Sequence, residues 1–155
     1  MLERVSPEGG YRVARALKRS VGQAVHTVSV IAEMKRRTPT GGEAGPSEVA
    51  GIADAGLVAC QLAECGADVL MVATDGPCYG GSLEDLRMAK AALAQTRGEG
   101  ERLPLVAKDL FVHPLQIAQA VDAGADGVLL MTCLVRVYAC MLGLWVLAWF
   151  CWFKW

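Results

Sequence analysis

Glu33, Lys35 and Lys108 are the residues of this sequence best placed to do chemistry, because each stands where a short apolar run gives way to a polar loop. Glu33 and Lys35 follow TVSVIA, and Lys108 follows LPLVA. Thr74 and Asp75 hold the equivalent place after DVLMVA. Positions 33 and 35 are two apart, so their side chains leave an extended chain on the same side. An ammonium held near apolar walls and a second cation gives up its proton more readily and can act as a general acid. Two such groups also attract an anionic ligand. The plain alternative is that strand-end Lys and Glu solvate a loop. Asp75 reads as a turn former and Asp109 as a loop stabiliser.

Other chemistries find little support. There is no G-x-G-x-x-G and no Walker loop, and Gly41-Gly42 and Gly80-Gly81 are weak evidence for an anion site. The two His, His26 and His113, stand alone, and none of the 6 Cys forms a C-x-x-C pair. No metal site is expected, and the Cys read as reduced, mostly buried, small apolar residues. With 15 basic and 16 acidic residues, nothing points to nucleic acid. The N-terminus carries Glu3 and Glu8 and lacks the apolar core of a secretory signal.

The elements that must position these residues alternate. Residues 10 to 20 form a short basic amphipathic helix. Thr27 to Ala32 is a β-branched, apolar first strand, and the loop RRTPTGGEAGP follows. Ser47 is the expected N-cap of a helix running to about Cys65, stopped by Gly66. Asp68 to Ala73 is the second strand. Ser82 with Asp85 resembles a capping box before LEDLRMAKAALAQT. Leu103 to Ala107 is the third strand, Pro114 opens another helix, and Gly127 to Met131 is the fourth strand. Apolar strands joined by helices imply a parallel sheet with every strand's carboxyl end on one side. The phrases ECGADVLMV and DAGADGVLL repeat one helix-end, Gly-Ala-Asp, strand device. A (β/α)8 barrel would carry such a repeat, and an open doubly wound sheet is compatible with it too.

Three motifs in register make the sequence recognisable: VSVIAEMKRRTPTGG, ADVLMVATDGPCYGGSLEDL and LPLVAKDLFVHPLQIAQAVDAGADGVLLM. Over roughly residues 27 to 133 they resemble the indole-3-glycerol-phosphate synthase family, whose motifs run close to IAEIKxxSPSxG and LPVLRKDFIIDPYQI. The resemblance implies α/β architecture: a partial (β/α)8 TIM barrel of about four parallel strands with helices, preceded by an N-terminal helix. It implies ring closure and decarboxylation of 1-(o-carboxyphenylamino)-1-deoxyribulose 5-phosphate to indole-3-glycerol phosphate, with no metal or organic cofactor. The partner is then a small, phosphorylated, anionic substrate. By the same resemblance Lys108 is the general acid, Lys35 holds the substrate carboxylate and assists later proton transfer, and Glu33 orients both. Thr38 stands beside the phosphate in place of the family's Ser, and Pro39 matches the adjacent Pro. Tyr79 stands near the family's Phe at a hydrophobic wall, Ser82 lies in its Gly-Ser turn, and Leu110 replaces the usual Phe after the catalytic Lys. The resemblance places the reaction in tryptophan biosynthesis; phosphoribosylanthranilate isomerase, another phosphate-binding barrel of that pathway, uses a Cys/Asp acid–base pair instead, and the Glu33, Lys35 and Lys108 set argues against it.

After about Val135 the resemblance stops. The family continues through strands five to eight, with a second Glu, an Asn and the phosphate-gripping loops, and a full barrel takes about 250 residues. The expected organisation is a helical extension over 1–26, a partial barrel over 27–135 and a hydrophobic tail over 136–155. All 4 Trp lie in that tail, within or just beyond the uncharged run Val137 to Phe153. As a helix the run would span about 25 Å, near the short limit for a bilayer. A membrane anchor is one reading. A non-native end, from a shifted frame, a retained intron or an alternative splice end, is the other, and the abrupt change of composition favours it. The expected chain is soluble, in the cytoplasm or, if the source is a plant or alga, the plastid stroma. It is expected to be inactive alone unless a partner chain supplies the missing strands. The alternative is a non-catalytic half-barrel fragment, with or without a membrane tether.

Overall fold

The computed structural model describes residues 12–17, 28–39, 47–49 and 51–131. Helix α1 spans Arg12–Leu17. Strand β1 spans Ile31–Met34, and a small antiparallel arm pairs β2, Arg37–Thr38, with β3, Ser47–Glu48. Helix α2, Ala55–Glu64, leads to strand β4, Val69–Ala73. A one-turn helix α3, Gly76–Tyr79, precedes the long helix α4, Leu83–Arg97. Strand β5, Leu105–Lys108, helix α5, Pro114–Asp122, and strand β6, Gly127–Leu129, follow. The main sheet is parallel throughout, in the order β1-β4-β5-β6.

That order decides between the two architectures left open by the sequence. A doubly wound sheet reverses its strand order at a switch point and carries helices on both faces. Here the strands follow chain order without reversal, and the buried cluster lies on one face. Met34, Leu70, Val72, Leu105 and Ala107 pack there against Ala55, Ala59, Leu86, Ala89, Leu93 and Ala120 of the helices. This is an arc of a (β/α)8 barrel with its helical layer in place. The alternate strand positions form the inner face, where Glu33 pairs in register with Met71, Met71 with Val106, and Ala73 with Lys108. Among the described residues β1 and β6 each have one unpaired edge.

The Gly-Ala-Asp repeat has a specific job. Asp68 accepts the Val30 N–H at 2.8 Å, and Asp126 accepts the Leu105 N–H at 2.9 Å. Each carboxylate thus stitches the start of its own strand to the start of the preceding one. Asp126 also takes a two-pronged contact from Arg102, at 2.7 and 3.1 Å, and lies 3.6 Å from Arg12. The Arg102 and Asp126 side chains are 3% and 7% exposed. Removing one partner of such a pair strands a buried charge, at a cost of about 3–5 kcal/mol. Asp126→Ala is therefore expected to lower the unfolding free energy by that amount, read as a lower urea midpoint at an unchanged m-value. A loss below about 1 kcal/mol would mean that Arg102 finds solvent or another acceptor.

Several local expectations are corrected. Ser47 begins no helix: it lies in β3, and the N-cap of α2 is Asp54, whose carboxylate accepts the Leu57 N–H at 3.0 Å. A helix from Ser47 would have carried Gly51 in its interior, which a cap at position 54 avoids. The first strand runs over residues 31–34 rather than 27–32, and the third ends on Lys108 rather than before it. Glu33 and Lys108 are thus strand residues. Their charge reads as a strand end in the sequence, whereas the inner face of a strand mouth accepts it. Ser82 caps α4 as expected, accepting the Asp85 N–H at 3.1 Å, but the return arm differs: the Ser82 hydroxyl donates to the Asp85 carboxylate. None of the three described cysteines is buried. Cys60 and Cys78 are intermediate, and Cys65, at the C-cap of α2, is exposed. The expectations for 1–11, 18–27 and 132–155, including the apolar run 137–153, lie outside the described residues. Among the described residues no helix is long and apolar enough to cross a membrane.

Candidate active site

The sheet brings Glu33 and Lys108 to its carboxyl end from strands two apart, with β4 between them. Ala73 of β4 is the register partner of Lys108, and its small side chain leaves room above it for longer ones to meet. Lys35 Nζ donates to Glu33 Oε2 at 2.7 Å, and Lys108 Nζ donates to Glu33 Oε1. One carboxylate therefore bridges two ammonium groups, as two cations converging on one small anion require. Partial burial pushes the Glu33 carboxyl up, but hydrogen bonds and charge from Lys108 and Lys35 outweigh it and hold the group below the usual glutamate range. The cluster carries one net positive charge while Glu33 is ionised, and each ammonium keeps donors beyond the one spent on Glu33.

A wall is built beside it by the loop after β4. Asp75 is the N-cap of α3 and accepts the Cys78 N–H at 2.6 Å. The one-turn helix ends at Gly80, whose φ of 66° is left-handed backbone that favours glycine. This turn buries Tyr79 and sets its ring under Lys108, whose Nζ lies 4.4 Å from the ring centroid. That distance fits a cation over an aromatic face. Burial first, then Cys78, Glu33 and Asp75, push the Tyr79 phenol above its usual range. Desolvation and Asp75 push the Cys78 thiol up as well, which argues against a thiolate nucleophile there.

The other predicted residues sit at varying places around this cluster. Thr38 is half-buried in β2, and Pro39 is exposed directly after it. The Ser82 hydroxyl is engaged with Asp85 at the start of α4. Leu110 is half-buried past β5, its N–H held by Asp109 at 2.7 Å. Asp109 also accepts the Thr74 hydroxyl at 2.8 Å, the loop-stabilising role read from its sequence position. The aromatic of this segment is Phe111, one residue later, and it is buried in the core beneath the helices. Sequence reasoning missed Phe111 and Arg36. Phe111 is an aromatic one step past a motif position, a signal that was readable. Arg36 looks like one more base in a basic run, and its partners lie up to 49 residues away. A groove of about 590 Å³ opens beside it, lined by Arg36, Arg37, Glu48, Ile52, Gly76 and Gly80 among others. Among the described residues no group of three or more His, Cys, Asp and Glu could hold a metal ion.

The bridge makes a pH prediction. A carboxyl whose folded-state value is depressed contributes stability above its unfolded value and loses it as pH falls through the folded one. The stability difference between the wild type and Glu33→Gln is therefore expected to be full at neutral pH. It should shrink as the solution is acidified through and below the usual glutamate range. Urea unfolding of both proteins across that span is the measurement. A difference independent of pH would show that the bridge's charge contributes nothing.

The family model for indole-3-glycerol phosphate synthase matches residues 7–141. A protein of that name from Opitutus terrae is 38% identical over 120 residues, covering 76% of this chain and 40% of its own length. One from Saccharopolyspora erythraea is 39% identical over 115 residues, with coverage of 73% and 38%. One from Bacillus cereus is 35% identical over 113 residues, with coverage of 73% and 40%. The chain thus spans about 40% of the length of the curated relatives it matches.

Proposed function

This chain belongs to the indole-3-glycerol phosphate synthase family, and from that premise we propose that it supplies the acid–base half of a synthase active site. The observation that carries the reading is the Glu33 carboxylate bridging Lys35 and Lys108 at the carboxyl end of the sheet, where barrel enzymes keep their catalytic groups. The substrate class is a small anion bearing a carboxylate and a phosphate, 1-(o-carboxyphenylamino)-1-deoxyribulose 5-phosphate. Lys35 pairs with the substrate carboxylate. Lys108 gives its proton to the carbonyl oxygen as the ring carbon attacks the carbonyl carbon and the new carbon–carbon bond forms. Carbon dioxide then leaves from that ring carbon, its bonding electrons returning to the ring system. Loss of the protonated oxygen as water, with removal of a ring proton, completes the indole. Glu33 holds the two ammonium groups apart and aimed. Tyr79 and Leu110 supply apolar surface, while Thr38, Pro39 and Ser82 belong to the loops on the phosphate side. No metal or organic cofactor is called for.

The open edges of β1 and β6 are where the completing strands pair, whether they come from the same polypeptide or another. The test supplies them: the 155-residue polypeptide is combined with, or fused to, the remaining barrel segment of a relative, and the fluorescence of the indole product is followed. Turnover is expected in the completed barrel and at most a trace in the 155-residue polypeptide by itself. A folded, completed barrel that produces no indole-3-glycerol phosphate would sink the proposal.

A further inference from the structure

Arg36 gathers a dense set of polar contacts, and it has no direct part in the acid–base roles proposed above. Its guanidinium forks onto Asp85 at 2.9 and 2.7 Å. It also donates to the carbonyl of Gly80 at 3.0 Å and, through Nε, to that of Ile52 at 2.8 Å. Its backbone N–H donates to the carbonyl of Tyr79 at 3.1 Å, and its own carbonyl accepts the Val49 N–H at 2.8 Å. One residue therefore ties together the loop after β1, the approach to α2, the turn at α3 and the first turn of α4. An exposed Arg–carboxylate pair would be worth little. This one has a planar two-pronged geometry, and Asp85 is buried and further fixed by the Ser82 hydroxyl.

The position along the chain gives the network its significance. Arg36 directly follows Lys35, and its backbone N–H holds the residue whose ring lies under Lys108. We infer that Arg36, locked by Asp85, is a positioning residue that sets two features together: Lys35 against Glu33 on one side, and the Tyr79 ring beneath Lys108 on the other. It acts through those residues rather than on a ligand, since four of its five guanidinium hydrogens are spent on protein oxygens. A Cβ at Gly80 would come within 3.1 Å of the Arg36 Cβ, so the closeness of the two loops also depends on glycine there.

The inference rests on the site reading above, so its test must not depend on turnover. Lysines of the full chain are labelled with carbon-13 at the ε position, and Lys108 is assigned by its loss in Lys108→Arg. An ammonium stem stacked over an aromatic ring carries an upfield ring-current displacement, and Tyr79→Leu defines its zero. Arg36→Met and Asp85→Asn are each expected to remove at least half of that displacement while the far-UV spectrum stays native. If Arg36→Met fails to fold, Asp85→Asn, which keeps the side-chain shape, decides the question. A displacement that survives intact in a folded variant overturns the inference. In the completed barrel, Asp85→Asn is further expected to lower kcat more than it raises KM and to shift the pH profile, which loss of stability alone would not do. An inactive completed barrel would defeat the functional proposal and leave the ring-current result standing.

Discussion

Lys108→Met in the completed barrel is expected to lower kcat/KM by about 10²–10⁴-fold, the range that general acid catalysis contributes. The Lys108 side chain is 14% exposed, its ammonium is fixed between the Glu33 carboxylate and the Tyr79 ring, and the alternative cation, Lys35, is committed to the other carboxylate oxygen. Methionine keeps most of the length and volume and removes the positive charge together with the proton donor. Lys108→Arg separates the two contributions of the ammonium. Guanidinium keeps the positive charge but does not give up a proton in proteins. Arginine is therefore expected to preserve much of the affinity for substrate and almost none of the turnover. Under the proposed roles, Lys35→Met is expected to act chiefly on KM, since pairing with the substrate carboxylate would precede the reaction. Steady-state kinetics on the three variants, read by product fluorescence, give the comparison. An arginine variant with turnover near the wild-type value would remove Lys108 from the role of acid and leave it only electrostatic.

The second large effect concerns a residue with no side chain. Gly81 follows the left-handed Gly80, and its N–H returns to the Asp75 carbonyl at 2.9 Å, folding the turn back onto the end of β4. A Cβ added at position 81 would fall inside the van der Waals shell of the Ala73 carbonyl. That neighbour is the backbone of the last residue of a strand paired on both sides, and it cannot swing away as a flexible side chain could. Overpacking of this kind typically costs about 1–3 kcal/mol, and a rigid neighbour places Gly81→Ala at or above the top of that range. The displaced turn carries Tyr79, so the Lys108 ring-current displacement is expected to diminish with the stability. Gly76→Ala is the matched control. Its nearest contact would be the Gly81 carbonyl at 3.7 Å, ordinary van der Waals distance, and a change within about 0.5 kcal/mol is expected. Urea unfolding of both variants is the measurement. A Gly81→Ala protein as stable as the wild type would show that the turn after β4 adjusts freely, which would also weaken the case that Tyr79 is held in place.

Much of the architecture was legible in the sequence because a βα unit is specified over short distances. The apolar runs at residues 68–73 and 103–107 became β4 and β5 to within two residues at each end. Ser82 and Pro114 marked helix starts because caps and N1 prolines act on their own turn. The same locality explains the failures. Ser47 and Asp54 are both competent caps, and only the arm that β3 forms with β2 removes one of them from contention. The three motifs also named residues that meet: Glu33, Lys35 and Lys108 join in one ion-pair cluster, and the Tyr79 ring lies under Lys108.

What the amino-acid sequence determined by itself was the succession of elements, the family, and the residue types able to move a proton or hold an anion. Tertiary structure alone decided which of those groups touch. Glu33 meets Lys108 across 75 positions of chain, and Arg36 meets Asp85 across 49. Such contacts depend on strand order and register, which place side chains on one face or the other. A strand's own alternation says which of its residues share a face, but which residues they meet on other strands is decided only when the sheet assembles.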